Sequence, residues 1–365
     1  MKQKIPLLFL LLLLAMSLCA CSDDTAPTAE EPESTPVAET EPVEPEPEWV
    51  WQHDTPENQG LDPNVLTDVH ATFDTFPLLT SVIVKNGYIV DEYYKEGYDE
   101  TSTFILNSSS KSITSALIGI AIAEGYIGSV EDPISQYLPR VSELTDSRWQ
   151  QITIWDLLTH TSGIYSTDSE LWNDWRASEN WLEYIYALPI VSTPGETFSY
   201  STGNTHLLSA ILQEATGMTA REYAQEVLFT PLDMDSADCE SDPQGISDGG
   251  NGFSMNVYDM AKFGQLYLNG GTWEGEQIVP AEWVTESTTL QFDRSSGSAD
   301  YGYQWWVRTF GNQGYPAYFA QGHAGQYIFV VPDLELVIAF TSDYTGSTGI
   351  YWQLVNEIVN GCTAE

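Results

Sequence analysis

Asn107-Ser108-Ser109-Ser110-Lys111-Ser112-Ile113-Thr114 opens a stretch whose continuation, Ser115-Ala116-Leu117-Ile118-Gly119-Ile120-Ala121-Ile122-Ala123, carries no charge. A polar start running into an apolar segment of this length reads as a helix that is buried beyond its first turn and ends near Glu124-Gly125. Ser108 and Lys111, three residues apart, share one helical face. A lysine in the first turn meets the positive end of the helix dipole, and shielding from water adds a desolvation penalty, so both effects lower its pKa. A neutral amine beside a serine hydroxyl is a nucleophile with its base. The competing reading is a serine-rich helix cap with a solvated lysine.

Strand patterns lie on both sides of this helix. Upstream, Ser81–Lys85 and Tyr88–Tyr94 are β-branched or aromatic runs separated by Asn86-Gly87, the pair that a two-residue type I′ hairpin requires. Downstream, strand signals return at Tyr318–Gln321, Tyr327–Val331 and Leu336–Phe340, and Tyr351–Val359 looks helical. Between them, Thr153-Ile154-Trp155-Asp156 starts a short capped helix that Gly163 stops, and His206–Glu214 and Val257–Leu268 carry helical patterns. Two early strands and three late ones bracketing a helical middle predict an α+β fold. One antiparallel sheet is flanked by helices, with an inserted, mainly helical lobe over about 132–294 and a cleft between the two.

The chain of 365 residues is 42% hydrophobic, enough for a real core. Its 53 acidic against 12 basic residues give a formal net charge of -41, which excludes phosphate-backbone binding as a function class. Lys2 and Lys4 precede the apolar run Ile5 to Leu18, too short for a membrane span, so residues 1–20 read as an export signal. Residues 21–48, rich in Pro, Glu, Thr and Ala, cannot bury enough surface to offset backbone entropy and read as a disordered acidic tether. The folded domain is expected over 49–365. Only Cys239 and Cys362 lie within it, and sequence leaves open whether they pair.

Leu18-Cys19-Ala20-Cys21 resembles the lipobox of bacterial lipoproteins, which implies a lipid anchor at Cys21 and an extracytoplasmic, membrane-held protein. The domain itself resembles the penicillin-recognising serine hydrolases, in the branch holding class C β-lactamases, DD-peptidases, esterases and 6-aminohexanoate-dimer hydrolases. The marks, in order, are Ser108-Ser109-Ser110-Lys111, Leu157-Leu158-Thr159-His160-Thr161-Ser162-Gly163, Pro194-Gly195-Glu196-Thr197-Phe198-Ser199-Tyr200-Ser201, Tyr301-Gly302-Tyr303-Gln304-Trp305-Trp306 and His323-Ala324-Gly325. The resemblance implies a β-lactamase/transpeptidase-like fold. It implies that Ser108 forms an acyl-enzyme, with Lys111 and Tyr200 sharing the proton traffic. It further implies that the backbone N–H groups of Ser108 and Gln326 form an oxyanion hole.

His323-Ala324-Gly325 stands where the family has Lys-Thr-Gly. On a strand, His323 and Gly325 share one face, and the bare Gly325 leaves room for substrate against the backbone. The family's Tyr-x-Asn asparagine is replaced by Thr202, with Asn204 two residues on, and threonine binds from a shorter arm. These two departures favour esters or neutral amides over lactams and cell-wall peptides.

Gly245-Ile246-Ser247-Asp248-Gly249 matches a nucleophile-elbow pattern, but no strand precedes it, so Ser247 reads as a loop serine. His160 reads as a helix-end residue. Tyr303, Trp305 and Trp306 serve equally as cleft wall or core. With five scattered histidines and no ligand spacing, no metal or cofactor is expected. The expected enzyme is an esterase-like serine hydrolase acting on a small ester, amide or peptide. The rivals are a β-lactamase or DD-peptidase, and a catalytically silent surface binding protein. No oligomeric state follows from the sequence.

Overall fold

Asn86 and Gly87 take φ of 52° and 80°, the pair of positive values that a type I′ turn needs. They join strands β2 (Leu78–Lys85) and β3 (Tyr88–Tyr94). The computed structural model describes residues 49–294 and 299–363. The export signal, the tether and Cys21 lie outside the described residues. The described residues form one compact unit.

The late strands are more numerous than their sequence signals. They are β4 (Asp300–Tyr301), β5 (Trp306–Phe310), β6 (Tyr315–Gly322), β7 (Gln326–Val331) and β8 (Leu336–Ser342). With the short β1 (Gln52–His53) they form one eight-stranded sheet in the order β1-β3-β2-β8-β7-β6-β5-β4. The early hairpin docks on the last strand, with Leu336 opposite Lys85 and Val337 opposite Val84, so both ends of the chain complete one sheet. All pairings are antiparallel except β1 with β3 at the edge, which is parallel.

Side chains alternate across a strand, and β8 shows the result. Leu336, Ile338 and Phe340 enter a core on one face, and Val337 and Ala339 enter another on the opposite face. The first core is closed by helices α1 (Pro63–Phe73) and α5 (Gly349–Gly361), which supply Val69, Phe73, Leu354 and Ile358. The second is covered by α2 (Ser110–Ala123) and α4 (Val257–Leu268). A Cβ at Gly264 of α4 would stand 2.5 Å from Val337 Cγ1, so glycine there lets the helix lie close on the sheet.

Helix α2 is buried from Ser110 through Ala121 and packs against α3 (Thr202–Thr216) and against β6. Each of its fully buried Ile and Leu side chains contributes about 1.5–3 kcal/mol, which fixes the helix carrying Lys111 and the 3-10 turn before it that carries Ser108. The helix Ile154–Leu158 has the expected capping box between Thr153 and Asp156. It stops sooner than expected, because His160 takes φ of 57° and turns the chain, while Gly163 lies further on. Cys239 and Cys362 are both free thiols. Among the described residues no helix is long and apolar enough to cross a membrane.

Candidate active site

The serine-rich segment is not a solvated cap. Asn107–Ser109 form a single 3-10 turn leading into α2, and no side chain caps the helix. Its hydroxyls instead bond other parts of the chain. Ser109 Oγ donates to the Gln326 carbonyl at 2.8 Å, Ser112 Oγ to the Gln304 carbonyl at 2.8 Å, and Thr114 Oγ1 to the Gly249 carbonyl at 2.8 Å. Asn107, with φ of 49°, donates from Nδ2 to the His323 carbonyl at 3.0 Å. Ser108 therefore sits between two ties to the β6–β7 hairpin.

Lys111 is 1% exposed. Its Nζ donates to Ser108 Oγ at 3.1 Å, to Thr202 Oγ1 at 3.0 Å and to the Gly250 carbonyl at 3.0 Å. Burial pushes its pKa down to about 8, against the carboxylates of Asp168 and Asp248, which pull it up. The amine is thus poised to exchange a proton near neutral pH.

Tyr200 is positioned from behind by the Thr159–Gly163 segment. The Ser199 N–H donates to the His160 carbonyl at 2.8 Å, and the Gly195 N–H to the Thr161 carbonyl at 2.9 Å. The His160 ring lies 4.6 Å from the Tyr200 ring, and Lys111 Nζ lies 5.0 Å from that ring's centroid. Burial and the nearby Asp168 raise the Tyr200 pKa, with Ser108 a smaller opposing influence, so Tyr200 is a phenol at neutral pH. His160, buried and facing Lys111 and Arg294, is held well below its usual pKa and is neutral. It shapes the site from beneath and is not part of the cleft lining.

Ser108 and Tyr200 open onto a cleft of about 340 Å³ whose wall includes Trp306, His323, Gly325, Tyr327, Tyr344 and Tyr351. His323-Ala324-Gly325 is not on a strand. It is the turn between β6 and β7, with Ala324 at φ 61° and Gly325 at φ 94°. A Cβ at Gly325 would stand 1.8 Å from Tyr351 Oη, so that glycine is required by packing against α5 and not by room for substrate. His323 is exposed at the mouth. Gln326 opens β7 with its Nε2 donating to the Ser342 carbonyl at 2.8 Å.

Thr202 is also placed differently from its sequence expectation. It is fully buried, accepts from Lys111 and donates to Asp168 Oδ1 at 2.8 Å, so it lies under the lysine and away from the cleft wall. Asn204 bonds Ser162 at 2.8 Å in the interior. Of the aromatic trio, Tyr303 and Trp305 are core and Trp306 is cleft wall. Ser247 is a buried loop residue whose Oγ accepts from the Arg221 N–H at 3.0 Å.

A family model described as Beta-lactamase matches residues 78–351. The chain belongs to the beta-lactamase family. It is a serine hydrolase of the beta-lactamase and penicillin-binding superfamily, with a small molecule or peptide as substrate. The 6-aminohexanoate-dimer hydrolase of Paenarthrobacter ureafaciens is 26% identical over 297 residues, which cover 74% of each chain. A Beta-lactamase of Escherichia coli is 29% identical over 140 residues, 38% of this chain and 36% of the other. A solved structure from Bacillus anthracis with a provisional 6-aminohexanoate-dimer hydrolase name superposes with a TM-score of 0.70 at 25% identity, covering 80% of each chain.

Two parts of this beta-lactamase-family site have no sequence signal. Asp168 reaches Thr202 from a loop, accepting from both its N–H and its hydroxyl. The turn Asp248–Gly252 supplies the Gly250 carbonyl to Lys111 and Asn251 Oδ1 to the Ser108 hydroxyl at 3.3 Å. That turn overlaps the end of the Gly245–Gly249 pattern, whose Ser247 takes no part in it. Among the described residues no group of His, Cys, Asp and Glu is arranged to hold a metal ion.

Proposed function

We propose that this hydrolase cleaves esters or neutral amides through an acyl-enzyme on Ser108, with esters preferred. The reading rests on one observation, a buried amine 3.1 Å from a serine hydroxyl at the mouth of a cleft. Lys111, with a pKa of about 8, takes the Ser108 proton as Oγ attacks the carbonyl carbon. Tyr200, a phenol in the free enzyme, gives its own proton to the departing alcohol or amine and is reprotonated by the proton that Lys111 took from Ser108. The backbone N–H groups of Ser108 and Gln326 receive the oxyanion, and water then hydrolyses the acyl group.

Substrate preference is argued from charge. Among the described residues no lysine or arginine lines the cleft itself. The cations beside it are already engaged, Lys111 with Ser108 and Arg294 over the Trp306 ring at 5.0 Å, so a substrate carboxylate of the kind lactams and cell-wall peptides carry meets no cation on the cleft wall. Five aromatic side chains, Tyr200, Trp306, Tyr327, Tyr344 and Tyr351, suit a neutral acyl group. The 6-aminohexanoate-dimer hydrolase relative supports simple amides as a second class.

Residues 1–20 are proposed to direct export, Cys21 to carry the lipid anchor, and 21–48 to hold the domain off a bacterial membrane. Failure of Cys21→Ala to change membrane retention sinks the anchor. For the catalytic reading, p-nitrophenyl ester turnover is expected to exceed nitrocefin turnover, and a fluorophosphonate is expected to label Ser108. Preference for nitrocefin overturns the substrate class. Absence of labelling in folded protein overturns the mechanism in favour of a silent binding protein.

A further inference from the structure

Behind Lys111 stands a charge pair whose carboxylate is buried and whose guanidinium is partly exposed. Asp248 is buried, with one carboxylate oxygen paired to Arg176 and the other, Oδ1, without a hydrogen-bond partner. The Arg176 guanidinium lies 4.0 Å from the centre of the Trp181 ring, a stacked setting that holds an arginine in place.

The backbone of Asp248 builds the turn that touches the reactive groups. Its carbonyl accepts from the N–H groups of Asn251 at 3.1 Å and Gly252 at 2.6 Å. The turn is wedged between two helices, since a Cβ at Gly249 would stand 2.4 Å from Thr114 Oγ1 and one at Gly250 would stand 2.6 Å from Thr202 Cγ2. From it Gly250 and Asn251 reach Lys111 and Ser108. A displaced Asp248 side chain would therefore move a Lys111 partner directly. Charge matters as much as position, because a buried carboxylate without its cation acts over several ångströms in a medium that screens poorly.

We propose that Arg176 and Asp248 are positioning residues for the reaction, holding the Asp248–Gly252 turn against Ser108 and Lys111, with Arg176 offsetting part of the carboxylate charge that the Lys111 amine would otherwise meet. The inference rests on Lys111 acting as the base. The other groups that face this amine are Asp168 and the Thr202 hydroxyl from one side, and the Tyr200 ring and neutral His160 from another. Of these only Asp168 opposes the loss of its proton by charge, and it is exposed to solvent screening.

The test is the second-order rate of Ser108 labelling by a fluorophosphonate between pH 6 and 10. In the parent the rate rises with pH as Lys111 loses its proton. Asp248→Asn removes a negative charge, so the rise is expected at lower pH by about 0.5 unit, and Arg176→Met leaves that charge unpaired, so the rise is expected at higher pH by a similar amount. Arg176→Lys is expected to stay near the parent, and it and Asp248→Asn carry the test if Arg176→Met does not fold. Displacement of both variants in the same direction, or lower rates with an unmoved rise, overturns the inference. A parent rate that does not depend on Lys111 sinks instead the reading on which it rests.

Discussion

The Oη of Tyr351 occupies the space a side chain at Gly325 would need, 1.8 Å from the position of its Cβ, and donates to Ser342 Oγ at 2.7 Å. The turn that forms one wall of the cleft is thereby locked to α5. Gly325→Ala would add a left-handed penalty to a steric clash, for a loss of about 2–5 kcal/mol. Its neighbour Ala324 already bears a left-handed φ of 61°, so Ala324→Gly is expected to gain about 1 kcal/mol. Urea unfolding of the two variants should move in opposite directions. Equal effects would mean that packing on Tyr351 does not fix the turn.

Lys111 is costly to the fold, and the proposed mechanism needs it as the base. Lys111→Met is expected to lower the acylation rate by about 10²–10⁴. The same variant should be more stable at pH 7, because the parent carries the penalty of a buried ammonium. The folded pKa of about 8 lies below the ordinary 10.5, so between those values the unfolded chain binds the proton the folded one has released. Parent stability therefore rises through that window. The penalty removed is about 3 kcal/mol, reduced by roughly 1 kcal/mol for the unpaired Gly250 carbonyl. The gap between variant and parent should close as pH climbs from 8 towards 10.5, and a gap independent of pH would contradict the burial argument.

What could be read from the sequence was whatever depends on local pattern. Asn86-Gly87 specified its turn, Val257–Leu268 its helix, and the Ser108-x-x-Lys111 spacing a pair on one face. The edge strand β4 and its neighbour β5 are hidden in an aromatic run, since Tyr303 and Trp305 between them are core by tertiary packing that alternation does not reveal. His323-Ala324-Gly325 looked like a strand because a β-hairpin turn in the left-handed region leaves no polar signature when its residues are Ala and Gly. Asp168 and Asn251 reach the site from loops far apart in sequence, and no periodicity marks a residue that acts at long range.

Thr202 gives the next test. Its hydroxyl bridges Lys111 and Asp168, so Thr202→Val should cut acylation about tenfold by leaving both groups short of a partner. Thr202→Ser keeps the hydroxyl and should act within about threefold of the parent. Thr202→Asn, which restores the residue absent from the Tyr-x-Asn pattern, should gain no lactam turnover, because position 202 is buried beneath the lysine and is not part of the cleft wall. A nitrocefin rate that rises in Thr202→Asn would show that the position can reach substrate after all.

His323 and Asn107 separate the work of a side chain from that of a backbone. The His323 ring is exposed, and what joins this residue to the Ser108 segment is its carbonyl, which accepts from Asn107 Nδ2 at 3.0 Å. His323→Ala keeps that carbonyl, so acylation should stay within about threefold of the parent. Asn107→Ala loses the amide and forces alanine to φ of 49°, for a combined cost of about 2–3 kcal/mol. Asn107→Gly relieves the backbone part alone, so it should recover stability while acylation remains about tenfold low. That residual loss measures how much the tie contributes to holding Ser108 against the hairpin whose second strand opens at Gln326, the proposed second oxyanion donor. If Asn107→Gly acylates like the parent and His323→Ala does not, the imidazole itself meets the substrate, and the turn matters for its side chain more than for its frame.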